Sequence, residues 1–324
     1  MPMSESLSKT AWMRRTVTVL GPLAGLAAVC ALFAVLRFDT FVTRDNVAII
    51  LQQTAVIAVT AIGMTLVIIA GGIDLSVGSM IALATVVIAL LLQAGWPPLL
   101  AALGGIVATS VCGAFSGLLI TRLRLLPFVV TLGLMGALRG AAKGLAHEQP
   151  IYPDETWLNT LLRLGRHGGL PIGVWLVIAL AVVVAAALRY TRFGRHVFAV
   201  GSSEATARLC GVPVERVKLL VYILGACFAG IGGVLQFAYL TGGDPTTAVG
   251  LELNVIAAVV IGGASLAGGE GSVAGTLVGA LIMSVVANGC TKLGLSNWVQ
   301  EIVTGGIIIV AVLLDYMRRR DQRG

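Results

Sequence analysis

Residues 47–93 read VAIILQQTAVIAVTAIGMTLVIIA-GGIDLSVG-SMIALATVVIALLLQ. Two apolar stretches without a single charge other than Asp74 flank the eight residues Gly71 to Gly78. Each stretch approaches the roughly 20 residues that a helix needs to cross a bilayer. Inside lipid the backbone has to satisfy its own hydrogen bonds, so a lone apolar stretch of this length is a helix. The glycines mark a tight reversal between two such helices. The rest of the chain repeats the pattern.

Eight further runs are long and apolar enough to cross, which with 47–70 and 75–93 makes ten: 16–36, 98–121, 127–145, 171–188, 218–240, 252–267, 272–290 and 298–315. The sequence therefore predicts an all-α, polytopic membrane protein of about ten transmembrane helices. Composition agrees. Of 324 residues, 57% are hydrophobic and 11% charged, against about 25% charged in soluble domains. The 41 glycines suit spans whose backbones approach closely. Nothing between the runs is long enough to bury a core of its own, so 1–324 is a single transmembrane domain.

The net charge of +7 is not a nucleic-acid patch. Fifteen of the 22 basic residues fall in four clusters: Lys9, Arg14, Arg15; Arg122, Arg124; Arg189, Arg192, Arg195, Arg208, Arg216, Lys218; and Arg318, Arg319, Arg320, Arg323. That is the positive-inside pattern. It predicts cytoplasmic N- and C-termini, with a tail over 1–15, an inner loop over 189–217 and a tail over 316–324. The outer connection from Ala146 to Leu170, with Pro150, Pro153 and Trp157, reads as an ordered surface segment. The run at 16–36 exceeds a signal-peptide core and is followed by more spans, so it reads as an uncleaved first helix. Cys30, Cys112, Cys210, Cys227 and Cys290 form no CxxC pair and read as small buried hydrophobes, with no metal site.

Chemistry on a substrate has no residues to perform it. No Gly-Lys dipeptide exists for a phosphate-cradling loop. His147-Glu148 lacks the second histidine of a zinc helix, since Ile151 stands there. No cofactor is expected. Three glycine ladders at intervals of four predict helix packing: Gly113 and Gly117; Gly136, Gly140 and Gly144; Gly271, Gly275 and Gly279. Arg139, with Lys143 nearby, reads as a side chain reaching for the outer headgroups. The hairpin with Gly71, Gly72, Asp74, Ser76 and Gly78 has an echo in Gly262, Gly263, Ser265, Gly268 and Gly269, before Glu270 and Gly271. The echo is either a duplicated architecture with a gated path between its halves or two unrelated turns. Asp74 either caps the following helix or takes part in the gate, and the two roles are compatible.

The inner loop carries the sharpest local signal. Ser203 is a good N-cap, Glu204 places an acid in the first turn, Gly211 stands where a C′ glycine belongs and Pro213 forbids continuation. Between them Glu204 to Cys210 makes about two helical turns, with Ala205 and Leu209 on one face and Ala207 and Arg208 between. Such a helix docks into a partner or lies on headgroups.

Phe193-Gly194-Arg195, Ala199-Val200-Gly201 and Glu204 to Val212 resemble the ATPase-docking loop of ABC importer permeases for monosaccharides, the ribose, xylose and arabinose type. The 71–78 hairpin, Pro127 to Gly133, and Val260-Ile261-Gly262-Gly263 through Gly279-Ala280 are similar to the same family, in order, over residues 47–315. Ser203 departs from the asparagine that many relatives carry, though both cap helices well. The resemblance implies a type II importer fold of about ten helices in a bacterial inner membrane. It implies a homo- or heterodimer of permeases, two cytoplasmic ABC ATPase subunits and a periplasmic sugar-binding protein. An ion-gradient-driven transporter is the alternative, yet the acids sit at span ends rather than deep within them.

Overall fold

The computed structural model describes residues 21–163 and 169–323. Lys9, Arg14 and Arg15 of the first basic cluster, Arg166, and the side chains of Arg318, Arg319, Arg320 and Arg323 lie outside the described residues. The first helices are α1 (Gly21–Leu36), the single turn α2 (Phe38–Phe41), α3 (Arg44–Ile69) and α4 (Val77–Gln93). Then come α5 (Pro98–Arg122), α6 (Pro127–Leu145) and α7 (Ile172–Tyr190), followed by α8 (Arg192–Ser202) and α9 (Glu204–Leu209). The chain ends with α10 (Val214–Leu240), α11 (Leu251–Ile261), α12 (Val273–Lys292) and α13 (Asn297–Arg323). No strand is formed among the described residues. One isolated antiparallel bridge joins Ile151 to Gly243.

Local sequence accounts for many of these limits. Pro98 and Pro127 open α5 and α6 at the first helical position, where a missing N–H costs nothing. Thr43 caps α3 by accepting the Asn46 N–H. Among the described residues, α3, α5, α6, α7, α10, α12 and α13 are long and apolar enough to span, so the chain is polytopic. The other apolar helices, α1, α4 and α11, are shorter. Two expected limits are corrected and one helix is added. The run at 252–267 is helical only to Ile261, because Gly263 takes a left-handed conformation (φ +91). The run at 298–315 continues as helix through the expected tail to Arg323, since nothing there breaks the helix. The inner loop holds a second helix, α8, that was not foreseen.

α3 is the central post, buried along most of its length against α10, α12, α11 and α7. Its interior polar groups are satisfied locally: Thr60 and Thr65 donate to Val56 and Ala61 carbonyls of their own helix. Thr65 also meets the Thr276 hydroxyl at 2.8 Å, tying α3 to α12. Two glycine ladders make close backbone approaches, though Gly271 lies before the Ser272 cap and outside α12, leaving Gly275 and Gly279 as its ladder. A Cβ on Gly275 would lie 1.9 Å from Gly262 O, and one on Gly279 1.9 Å from Ala258 O, so α12 rests on the α11 backbone. Gly113 and Gly117 of α5 meet Ala226, Tyr222 and Leu219 of α10 in the same way.

The third ladder is corrected. Around Gly136, Gly140 and Gly144 a Cβ would meet nothing within 4 Å among the described residues. Spacing put these glycines on one face of α6, but it could not say whether a neighbour stands opposite. The cysteine reading also narrows: only Cys290 is buried, while Cys30, Cys112 and Cys227 are half-buried and Cys210 is exposed. Over residues 146–163 the connection after α6 is held by the Ile151–Gly243 bridge, by the one-turn 3-10 helix Trp157–Thr160, and by Gln52 Nε2 donating to Leu162 O at 2.7 Å.

The two ladder types respond differently to one methyl group. Gly279→Ala forces α12 off α11 and lowers the thermal midpoint in detergent, a cost of about 1–3 kcal/mol for overpacking. Gly140→Ala meets open space and gains about 0.5–1 kcal/mol of helix propensity. Equal midpoints for the two variants would contradict the packing described.

Candidate functional site

The capped helix of the inner loop forms as its sequence dictates. Ser203 Oγ accepts the Thr206 N–H at 3.2 Å, and Glu204 sits in the first turn of α9. At the other end Gly211 has φ +79, its N–H bonds Arg208 O, and the Val212 N–H bonds Ala207 O. That pair of bonds is a Schellman closure, which needs the left-handed residue that glycine supplies. Glu204 pairs with Lys218 and Arg208 with Glu215, both fastening α9 to the first turns of α10. Ala207 is buried against the body of the protein, while Ala205 is exposed and Leu209 is 90% exposed. The Ala205 and Leu209 face therefore carries apolar surface that the chain itself does not cover.

α8, which precedes α9, turns sharply off α7. Thr191 Oγ1 accepts the Gly194 N–H at 3.2 Å, and a Cβ on Gly194 would lie 2.2 Å from Leu188 O. Arg195 is exposed on α8. The buried Val197 and Val200, with Phe193 half-buried, are the periodic signal that marks α8 as a helix and that sequence reasoning passed over.

The far end of α8 runs into both glycine hairpins. At Gly201 a Cβ would lie 1.7 Å from Ile69 O and 2.5 Å from Gly269 N. Between those two atoms runs a backbone hydrogen bond, Gly269 N–H to Ile69 O, of 2.8 Å. A Cβ on Gly268 would come within 2.8 Å of Gly201 O and 2.9 Å of Gly71 Cα, and one on Gly269 within 2.6 Å of Ser202 Oγ. Three backbone segments that sequence reading treated separately thus meet at one point with no side chain between them.

The hairpins are also built alike. After α3, Gly71 (φ +80) and Gly72 donate to Ile68 O and Val67 O. After α11, Gly263 and Ala264 donate to Val260 O and Val259 O. The same Schellman closure ends both helices, and a side-chain turn follows each. Asp74 Oδ1 accepts from the Ser76 N–H and hydroxyl, and Ser265 Oγ accepts weakly from the Ala267 N–H at 3.4 Å. The second hairpin is longer, and its extra length supplies Gly268 and Gly269. Asp74 is fully buried. It ties down the residue before α4 rather than the first-turn amides of that helix, and its Oδ2 has no hydrogen-bond partner among the described residues. Gly72 is needed for room, because a Cβ there would sit 2.5 Å from the Tyr222 hydroxyl. Gly262 backs onto α12 and Ser265 reaches toward Asp315 of α13 at 3.4 Å. Gly271 would clash with Ile69 if it bore a Cβ. Glu270 is exposed outside the first turn of α12.

Two placements correct the sequence reading. Arg139 does not reach for headgroups: its Nη1 donates to Pro245 O at 3.0 Å and Thr247 O at 2.6 Å, clamping the irregular segment between α10 and α11. Gly78 is not part of the hairpin's turn. It opens α4 at a point where a Cβ would lie 2.4 Å from Glu252 Oε2 and 2.5 Å from Ala248 O.

A bundle of apolar helices long enough to span, meeting at a buried glycine junction, defines a polytopic membrane protein. Comparison places it further. Residues 46–312 match the family described as "Branched-chain amino acid transport system / permease component", and the chain belongs to that family. It is similar to the ribose import permease protein RbsC of Escherichia coli strain K12, at 37% identity over 94% of each chain. RbsC of Bacillus subtilis is 36% identical over 91% of this chain and 92% of its own. The L-arabinose ABC transporter permease protein AraH of Azospirillum brasilense is 37% identical over 90% and 86%. No solved structure matches. The chain is thus an ABC-type permease, a transport component and not an enzyme.

The junction is testable by amide exchange. Gly201→Ala has to push apart the Ile69 carbonyl and the Gly269 N–H. Losing a buried backbone bond speeds exchange over residues 268–271 by roughly tenfold to a hundredfold. Gly305→Ala on α13, where a Cβ meets nothing within 4 Å, leaves that exchange unchanged. Unaltered protection in Gly201→Ala would show that the three segments are not in register.

Proposed function

We propose that this permease is the membrane subunit of an ATP-driven importer for a monosaccharide, a pentose or hexose handed over by a periplasmic binding protein. The observation that carries the reading is α9. It is a short helix capped at both ends, pinned to α10 by two ion pairs, and displaying Ala205 and Leu209 outward. An apolar face held this firmly on a polar surface suits the groove of an ABC ATPase better than free solvent. The sugar class is supported by the printed names of the ribose and arabinose permeases the chain resembles. The chain works in a bacterial inner membrane as a homo- or heterodimer with two ATPase subunits. It crosses about ten times, counting the seven long helices, α1, α4, and the half-length α11 together with the irregular residues 241–250 that lead into it, and both ends face the cytoplasm as the basic clusters require.

The coupling route follows from the geometry. An ATPase that pulls on α9 moves α8 with it, since only Ser203 separates them. α8 ends against Ile69, Gly268 and Gly269, so its motion is delivered to both hairpins at once. The hairpins at 71–78 and 262–272 serve as the gate, with the backbone contact at Gly201 as the hinge through which the stroke passes.

Ala205→Glu places a charge where the ATPase closes over the helix, and an unpaired charge buried there costs several kcal/mol. The variant inserts normally, fails to co-purify with the ATPase, and imports no sugar. Recovery of the ATPase at the level of the unmodified protein, with undiminished uptake, would make α9 a headgroup-facing surface element instead.

A further inference from the structure

We infer that a groove between the α5–α6 turn and the α9–α10 elbow holds the phosphate of an anionic membrane lipid, beside the helix that docks the ATPase. The groove has a volume of about 290 Å³. Its charged wall is Arg124 from the turn, Glu204 and Arg208 from α9, and Glu215 and Lys218 from the first turns of α10. Ile120, Leu125 and Leu126 add apolar surface on the side of the turn.

Three cations stand here against two carboxylates, and the pairing leaves one cation over. Lys218 is paired with Glu204 and Arg208 with Glu215, so both carboxylates are engaged. Arg124 is exposed and joins no ion pair or hydrogen bond among the described residues, although its charge is felt at Glu215. Its guanidinium offers a planar fork of donors that fits two oxygens of a phosphate. Arg208 and Lys218 each have further N–H donors beyond the one given to a carboxylate. One phosphate of single negative charge balances the surplus. Arg124 also has φ +53, a left-handed backbone that glycine and asparagine adopt at less cost. The residue with the spare charge is thus the strained one, the combination that marks a place where something binds.

The surroundings point to lipid as the source of the phosphate. α5 ends at Arg122 and α6 begins at Pro127, so the turn lies where two spans leave the bilayer. Leu123, Leu125, Leu126 and Phe128 are all exposed around it, an apolar skirt for acyl chains below a headgroup on Arg124. Basic groups just cytoplasmic of a span attract anionic headgroups. At roughly 100° per residue, Glu204 and Arg208 share one edge of α9, between the buried Ala207 and the outward Ala205 and Leu209. A lipid in the groove therefore touches α9 without covering the face offered to the ATPase. It braces α9 against the α5–α6 turn and so sets how firmly the docking helix is held. This effect on transport rests on the importer reading, whereas the binding does not.

The test takes the full chain in detergent, by native mass spectrometry, with dioleoylphosphatidylglycerol, dioleoylphosphatidylcholine and inorganic phosphate as probes. The unmodified chain should retain phosphatidylglycerol in preference to phosphatidylcholine and form no adduct with inorganic phosphate. Arg124→Asn and Arg124→Gly remove the charge while suiting the left-handed backbone, so both should fold at least as well. Each should lose phosphatidylglycerol retention by roughly tenfold or more, the loss of one charge-assisted contact. Arg192→Gln, an exposed cation of α8 outside the groove, should leave retention unchanged. In nanodiscs with its ATPase, hydrolysis by the unmodified transporter should depend on phosphatidylglycerol, and that dependence should vanish in Arg124→Asn. Equal retention of the two lipids, capture of inorganic phosphate instead, or retention that falls as much in Arg192→Gln as in the Arg124 variants overturns the proposal. Hydrolysis indifferent to phosphatidylglycerol overturns the effect on the docking helix. Selective lipid retention by a chain that associates with no ATPase would instead sink the importer reading and leave the lipid site standing.

Discussion

One backbone hydrogen bond, from the Gly269 N–H to the Ile69 carbonyl, sits where α8 and both glycine hairpins meet. The bond exists only because Gly201 lies over it without a side chain, at a distance where even a methyl group would overlap the carbonyl oxygen. Helix ends buried in a bundle leave carbonyls and amides that neither lipid nor water can satisfy. Here the end of α3 is closed by its own glycines and then by an amide from the opposite hairpin. Satisfying these groups and bringing the three segments together are therefore a single requirement.

Elsewhere in the bundle polar groups are spent locally. Thr54, Thr60, Thr65, Thr121 and Ser284 each donate to a carbonyl four residues back on the same helix. Such hydroxyls are neutralised by their own backbone and serve packing. Arg139 differs because its partners are carbonyls of the irregular backbone between α10 and α11. The contrast separates polar residues that serve the packing of their own span from one that holds a distant segment in place.

Much of this was legible in the sequence. The α6 limits were read to the residue, because Pro127 can only begin a helix. α9 was read with both caps, because Ser203, Gly211 and Pro213 act through bonds to near neighbours. What escaped depended on residues far apart in the chain. Nothing near Arg139 announces Pro245 and Thr247, and nothing near Gly201 announces Ile69 and Gly269. The glycines of α6 show the same limit from the other side: a period of four describes a helix face, and only the fold decides whether that face is covered. α8 is different in kind, since its periodic signal at Phe193, Val197 and Val200 is local but short, and it lies beside the stronger caps of α9.

The length of α11 bears on how the protein is made. Eleven residues extend only about 16 Å, half the hydrocarbon thickness. A segment so short gains too little from lipid to leave a translocation channel sideways by itself. Its backbone also lies bare against α12, where Gly275 and Gly279 leave no side chain between the two helices. α11 has to wait at the channel until α12 has been synthesised and then enter the bilayer already paired with it. The order of synthesis is thereby written into the geometry: α3 must be in place first, and the half-length helix is among the last pieces to seat.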